Sequence, residues 1–557
     1  MTRRDFVLKS CGVSATSALS AAQKKPPNIV LIVADDQGFG DLGCRGNRFI
    51  RTPNMDRIAR QGVEFTQFHA SPVCSPTRAS LMTGRYNYRT GVVDTFLGRS
   101  IMYSEERTIA EMLKGAGYRT GIFGKWHLGD NCPFRPADQG FEESLVMRGG
   151  KLRDPYDIPG GKGYFDPFLL LNGEPRPYRG YCTDVFAKEA LGFIDRHRAQ
   201  PFFLYFAPNA IHEPHEVPEA YIDPYRRMGL SESLSRIYGM CTNLDDNIGR
   251  LLKRLDDLQL ARNTIVLYLS DNGPDLGSGP RYNAGMRDGK LSVYEGGLRV
   301  PCFLRWPGVV KPGTRIGQLT AHIDVPSTLL DACGLNWPAG ITIDGTSLMP
   351  LLRGDTSKWP ARTLVFQWHR GERPQPYRNC AALDGRWKMV NGKELYDLKN
   401  DPAEARNLAS ERPAVLTRLC RAYDEWLRDV SSTRGYDAPR IHLGTTHENP
   451  VVLTRQDWRG PRAGYGSNSV GYWEVFVTKA APYAVFVMFE PGASEGEIRF
   501  RLNGIQVTQR VPRGVADCEL QVVTIPEGPG RLEVEIQFDG KVAGAMFVEV
   551  LALQPSS

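Results

Sequence analysis

The sequence predicts an α/β protein: a large mixed, mostly parallel sheet flanked by helices, then a smaller α+β piece and a C-terminal β-sandwich. Three observations predict it. Apolar runs at 28–33, 118–123, 202–206 and 264–269 show no polar alternation, as strands covered on both faces require. Helical patterns at 55–61, 108–116, 183–198 and 231–259 lie between them, the order that builds a doubly wound sheet. After about residue 436 the pattern changes to period two, with Trp473, Val475 and Val477, then Ile498, Phe500 and Leu502, then Leu532, Val534, Ile536 and Phe538 alternating with polar residues. Alternation broken by Gly/Pro turns reads as an antiparallel sandwich.

The boundaries follow from these changes: a leader at 1–25, a main α/β unit at 26–357, an α+β piece at 358–435 and the sandwich at 436–557. The 557 residues suffice for two or three domains. No apolar run approaches the roughly 20 residues needed to cross a bilayer. The net charge of +7 comes without basic runs interleaved with aromatics, which argues against a nucleic-acid partner. Arg3-Arg4, a weakly apolar stretch from Cys11 to Leu19 and Ser20-Ala21-Ala22 resemble a twin-arginine export signal; a plain basic tail is the alternative. That signal implies the twin-arginine export machinery as a partner and a periplasmic or secreted destination. The eleven cysteines show no metal-ligand spacing and no dense framework, and an exporter of folded proteins leaves no role for disulfides made afterwards.

Each buried-strand run ends in polar residues. Asp35-Asp36 follow the first, Lys125 and His127 the second, Asn209 and His212 the third, Asp271-Asn272 the fourth. Ligand sites of open α/β sheets lie beyond the carboxyl ends of the strands, so the four clusters belong to one site. Three carboxylates and one amide oxygen suit Ca²⁺, with Mg²⁺ as the alternative; they lack zinc's usual His/Cys set. A single Asp pair could equally cap a helix, but a second pair after a second strand favours the metal. Cys74-Ser75-Pro76-Thr77-Arg78 opens a helical segment, placing Cys74 at a helix N-terminus, which favours negative charge, with Arg78 one turn on. A buried structural cysteine is the other reading.

Cys74-X-Pro76-X-Arg78 with Thr83-Gly84-Arg85 resembles the signature of the type I sulfatases of the alkaline-phosphatase superfamily. Gly124-Lys125-Trp126-His127-Leu128-Gly129 resembles that family's second signature, and Asp35 to Asp41 its metal-binding start. Gly289-Lys290 with Tyr294-Glu295-Gly296-Gly297, then Tyr396-Asp397-Leu398, match further motifs. The resemblance spans 28 to about 410.

That resemblance implies hydrolysis of sulfate esters through formylglycine, made from Cys74 by a formylglycine-generating enzyme. It implies a cation on Asp35, Asp36, Cys74, Asp271 and Asn272. Arg78 and Lys125 would hold the formylglycine hydrate. His212 and Lys290 would contact sulfate, with His212 favoured as acid because imidazole titrates near neutrality. His127 would assist sulfate expulsion. His369 and Arg370, at the expected mouth, would contact a sugar hydroxyl or second anion; a solvated loop is the alternative. A sulfated sugar is the expected substrate, and phosphate or phosphonate esters are the chemical rivals. The sandwich is expected to have an independent core, so that a chain ending near Pro439 keeps most of its turnover on small aryl sulfates; packing against the main unit, with a stabilising role only, is the alternative.

Overall fold

The computed structural model describes residues 25–152, 163–538 and 540–554. The twin-arginine-like segment therefore lies outside the described residues, apart from Lys25. Asn28–Ala34 is the centre of a ten-stranded mixed sheet. It pairs in parallel with Phe202–Ala207 on one side and Thr264–Ser270 on the other. Arg119–Lys125 adds in parallel beyond Phe202–Ala207, while Cys302–Arg305 runs antiparallel to Thr264–Ser270.

The missing polar alternation has its cause here. Val30 and Ile32 face a core formed with helices Cys182–His197 and Glu232–Asp257, through Phe186, Phe193, Leu244 and Ile248. Ile29, Leu31 and Val33 face the opposite core, under Leu81, Ile109 and Leu329 of the helices Cys74–Thr83, Ile109–Gly115 and Asp324–Ala332. Both strand faces are dry, so both are apolar. The observed helices match those read from sequence to within a few residues at each end. Thr108 starts one with a capping box to Glu111.

Residues 364–397 form a four-stranded antiparallel sheet, covered by helix Pro413–Ser431 through Leu419, Tyr423, Trp426 and Val430. A buried ion cluster ties this α+β piece to the main unit. Lys388 Nζ lies 3.0 Å from Glu295 and 2.9 Å from Glu404. Glu295 of the third motif is thus an anchor between layers.

The C-terminal region is a sandwich of two sheets. One contains Tyr472–Val477, Gly496–Leu502, Ile505–Val511 and Gly528–Phe538; the other contains Val451–Thr454, Ala481–Met488, Asp517–Ile525 and Phe547–Ala552. Trp473, Val475, Ile498, Phe500, Leu532 and Val534 point into its core. That core also takes in Ile101 and Phe134 of the main unit, so the sandwich packs against the main unit. Polar contacts cross the same boundary: Glu448 accepts from Asn131 Nδ2 (2.9 Å) and Cys132 N (2.6 Å), and Arg148 donates to Val452 O (2.7 Å). All ten described cysteines are free. No helix among the described residues is long and apolar enough to cross a membrane.

Candidate active site

Four of the clusters read from sequence converge at the C-terminal edge of the sheet. Backbone bonds join the strand ends: Asp271 N donates to Ala34 O (3.0 Å), Asp35 N to Ala210 O (2.8 Å) and Ile211 N to Asp35 O (2.6 Å). Crossing so close to its neighbour limits residue 124 to glycine. Gly124 has φ +128°, and a Cβ there would sit 2.0 Å from Ala207 O. Asp36 and His127, each two residues past the end of its strand, also hold left-handed backbone, at φ 63° and 61°. Such strain persists where the surroundings over-determine it, as functional sites do.

Asp35, Asp36, Cys74 and Asp271 are all buried and bring one ligand atom each within 4.8 Å of the others. Cys74 Sγ is 3.4 Å from Asp35 Oδ1 and 3.9 Å from Asp36 Oδ1. Asn272 Nδ2 donates to Asp36 Oδ1 (2.8 Å), while its Oδ1 is buried without a partner. Three carboxylates packed this closely repel, and burial together with Asp35 pushes the Asp271 carboxyl up to about 6. An orphaned amide oxygen beside crowded carboxylates fits a hard, oxygen-seeking cation.

Cations of the chain flank the acids. Arg78 Nε and Nη2 donate to Asp271 Oδ2 at 3.0 and 2.7 Å, and its Nη1 to Lys125 O at 2.9 Å. Lys125 Nζ meets Asp35 Oδ2 at 2.8 Å, and Lys290 Nζ meets Asp36 Oδ2 at 2.8 Å. Burial works against the Asp36 carboxylate, but Lys290, His212 and Lys125 overcome it and hold the group well below the usual range. Asp36 in turn holds Lys290 charged against its own burial.

Two sequence arguments change. The helix N-terminus was expected to favour a thiolate at Cys74, yet burial and Asp271 push its thiol well above the ordinary value. An unmodified Cys74 is therefore a protonated, weak nucleophile. His212 was favoured as acid because imidazole titrates near neutrality. Here burial and Lys290 push it down to about 3, so any role for it rests on position. Its Nδ1 donates to Glu213 O (2.8 Å) and its Nε2 lies 3.7 Å from Asp36 Oδ2.

A cavity of about 190 Å³ opens above these groups, lined by Cys74, His127, His212 and Lys290 with Thr95, Phe96, Gly150, Lys151, Gln456 and Tyr465. The expected mouth residues are not among its lining. His369 is buried, with Nδ1 2.8 Å from Tyr88 OH, in an aromatic layer with Tyr436. Arg370 pairs with Asp94 at 3.1 Å and lies over the ring of Phe96, which lines the pocket. Sequence reasoning missed Phe96, Gln456 and Tyr465. Gln456 and Tyr465 carry no motif and lie where the resemblance has ended.

Comparison with known proteins agrees with this geometry. The model of the Sulfatase family matches residues 27–335, and that described as N-sulphoglucosamine sulphohydrolase, C-terminal, matches 284–426. The chain belongs to the Sulfatase family. It is a sulfuric ester hydrolase, with the fold of the alkaline-phosphatase-like superfamily. N-acetylgalactosamine-6-sulfatase of Mus musculus is 37% identical over 71% of this chain and 79% of its own length. Arylsulfatase A of Homo sapiens is 33% identical over 72% and 83%. Among solved structures, Ps i-CgsB in complex with k-i-k-neocarrahexaose aligns with a TM-score of 0.67 at 28% identity, covering 74% of this chain and 95% of that one. The phosphonate monoester hydrolase of Agrobacterium radiobacter shares the fold, with a TM-score of 0.54 at 22% identity.

Proposed function

We propose that the protein is an exported, calcium-dependent sulfatase that removes sulfate from sulfated sugars, with formylglycine at position 74 as nucleophile. The observation that carries the reading is the convergence of Asp35, Asp36, Cys74 and Asp271 within 4.8 Å, with Arg78, Lys125 and Lys290 bonded to the acids. Asp35, Asp36, Asp271, Asn272 and residue 74 would hold the cation. When bound, it supplies charge that polarises a sulfate oxygen and favours deprotonation of the hydrate.

The chain's own groups do the rest. Cys74 Sγ stands where a hydroxyl of the formylglycine hydrate would be. Asp271, raised toward neutrality by its neighbours, is placed to accept that hydroxyl's proton. The oxygen attacks sulfur, the bond from sulfur to the ester oxygen breaks, and the alcohol leaves with a proton from His212 Nε2, which must first take one up, the anionic ester beside it favouring that imidazolium form. Lys290 and Lys125 lie where charge develops on the sulfate oxygens. The covalent sulfo-enzyme then collapses. The second hydroxyl gives its proton to His127, its electrons form the aldehyde, and the carbon–oxygen bond to sulfate breaks. Water restores the hydrate.

A sugar substrate is supported by the N-acetylgalactosamine-6-sulfatase relatives and by the oligosaccharide carried by the structural neighbour. The pocket wall also includes two aromatic side chains, Phe96 and Tyr465, stacked on each other at 5.6 Å. The twin-arginine-like leader supports export to the periplasm or beyond. The deciding experiment measures sulfate release across defined sulfated monosaccharides and oligosaccharides, with 4-nitrophenyl phosphonate esters as controls. Preference for the phosphonates would overturn the reading.

A further inference from the structure

His127 is 3% exposed, and its Nδ1 is buried without a partner. Its other nitrogen, Nε2, lies 2.6 Å from Thr95 O. A carbonyl only accepts, so Nε2 carries the hydrogen and Nδ1 is left bare. The Thr95 carbonyl thus selects the tautomer. Thr95 lies on a loop with no regular structure, between Asp94 and Ser100, so something must hold that carbonyl in place.

Gln456, at the end of the sandwich strand Val451–Thr454, does so. Its Nε2 donates to Thr95 O (2.7 Å) and to Ser100 Oγ (3.1 Å), which uses both amide hydrogens, and it sits 3.3 Å from His127 Nε2. The opposite amide orientation would set its oxygen against the Thr95 carbonyl, so the network fixes which atom points inward. Tyr465 OH approaches Gln456 Oε1 at 3.4 Å, and Gly98 N donates to Gln456 O at 2.9 Å. A Cβ at Gly150 would come 2.9 Å from His127 Cε1 and 3.0 Å from its Nε2, so the backbone of Gly150 also closes against the ring.

We propose that Gln456, delivered by the C-terminal sandwich, is a positioning residue for His127, fixing its tautomer and angle through the Thr95 carbonyl. The sandwich is then part of the reaction site. The inference rests on the role given to His127 above, because a bare Nδ1 is what accepting the hydrate's second proton requires.

The test uses the full-length, formylglycine-containing enzyme with 4-nitrophenyl sulfate. Gln456→Ala and the near-isosteric Gln456→Met, which fills the space without donating, should each lower kcat about 10- to 100-fold, the range for groups that orient a reacting residue. KM should fall in parallel, leaving kcat/KM nearly unchanged, because collapse follows the step that commits the substrate. Both variants should release a first equivalent of nitrophenol at the normal rate and then turn over slowly, because only collapse of the sulfo-enzyme is impaired. In a His127→Ala background the Gln456 substitutions should cost nothing further, since positioning has no object there. A normal kcat in Gln456→Met, or losses that add to those of His127→Ala, would overturn the proposal. If His127→Ala itself turns over normally, the role of His127 fails. If it is inactive while both Gln456 variants are normal, only the role of Gln456 fails.

Discussion

Removing the sandwich tests how far it belongs to the catalytic body. A chain ending at Pro439 loses every strand from Ile441–Leu443 onward and uncovers Ile101 and Phe134, each 3% exposed in the intact protein. Full burial of such a side chain stabilises by about 1.5–3 kcal/mol, so the two together give about 3–6 kcal/mol. The polar contacts of Asn131, Cys132 and Arg148 add little, since water replaces those partners. At about 2.1 cal/mol/K of unfolding entropy per residue, roughly 415 remaining residues give about 0.9 kcal/mol/K. The melting temperature should therefore fall by about 3–7 °C. Turnover should fall too, because Gln456 and Tyr465 leave the pocket. Differential scanning calorimetry and 4-nitrophenyl sulfate hydrolysis at a temperature where both proteins are folded measure the two effects. An unchanged melting temperature with undiminished kcat would refute the reasoning and restore the separable sandwich expected from sequence.

Other outcomes follow from the same contacts. Chelation of divalent cations should abolish activity and Ca²⁺ should restore it, while Asp36→Ala should remain inactive at any cation concentration; isothermal calorimetry should show its cation binding lost as well. His212→Ala should slow an alkyl sulfate far more than 4-nitrophenyl sulfate, whose leaving group needs no proton, and equal losses would assign the acid elsewhere. Lys388→Ala leaves Glu295 and Glu404 buried without their shared cation and should cost about 3–5 kcal/mol by denaturant unfolding. In the intact protein Lys388, with His69, overcomes burial to hold Glu295 below its ordinary value. Its contribution is therefore present above the carboxyl's unfolded pKa and lost as pH falls through the folded one, a loss that acid titration of wild type and Lys388→Ala should resolve.

The legible parts of this protein were those fixed by local pattern. Both faces of Asn28–Ala34 and Thr264–Ser270 are dry, so their composition alone identified parallel strands, and topology then gathered Asp35, Lys125, His212 and Asp271. The sandwich showed in the alternation of Trp473, Val475 and Val477. What stayed illegible depended on contacts between distant segments. Gln456 is an ordinary polar residue until the sandwich docks beside Thr95, 361 positions away. His369 looked like a ligand because it is polar and follows a strand, but Tyr88 and Tyr436 enclose it. Glu295, in a motif that suggested chemistry, is spent on the ion cluster with Lys388 and Glu404. The helix dipole at Cys74 was real local physics, outweighed by burial and carboxylates from other strands.

The central claim is that this site works through an aldehyde-derived nucleophile at position 74. Peptide mass spectrometry of the purified enzyme, with turnover measured on the same preparations, tests it most directly. Specific activity should rise in proportion to the fraction of residue-74 peptide carrying formylglycine, and extrapolate to zero where all of it is cysteine. Full activity in a preparation whose Cys74 is wholly unmodified would contradict the account.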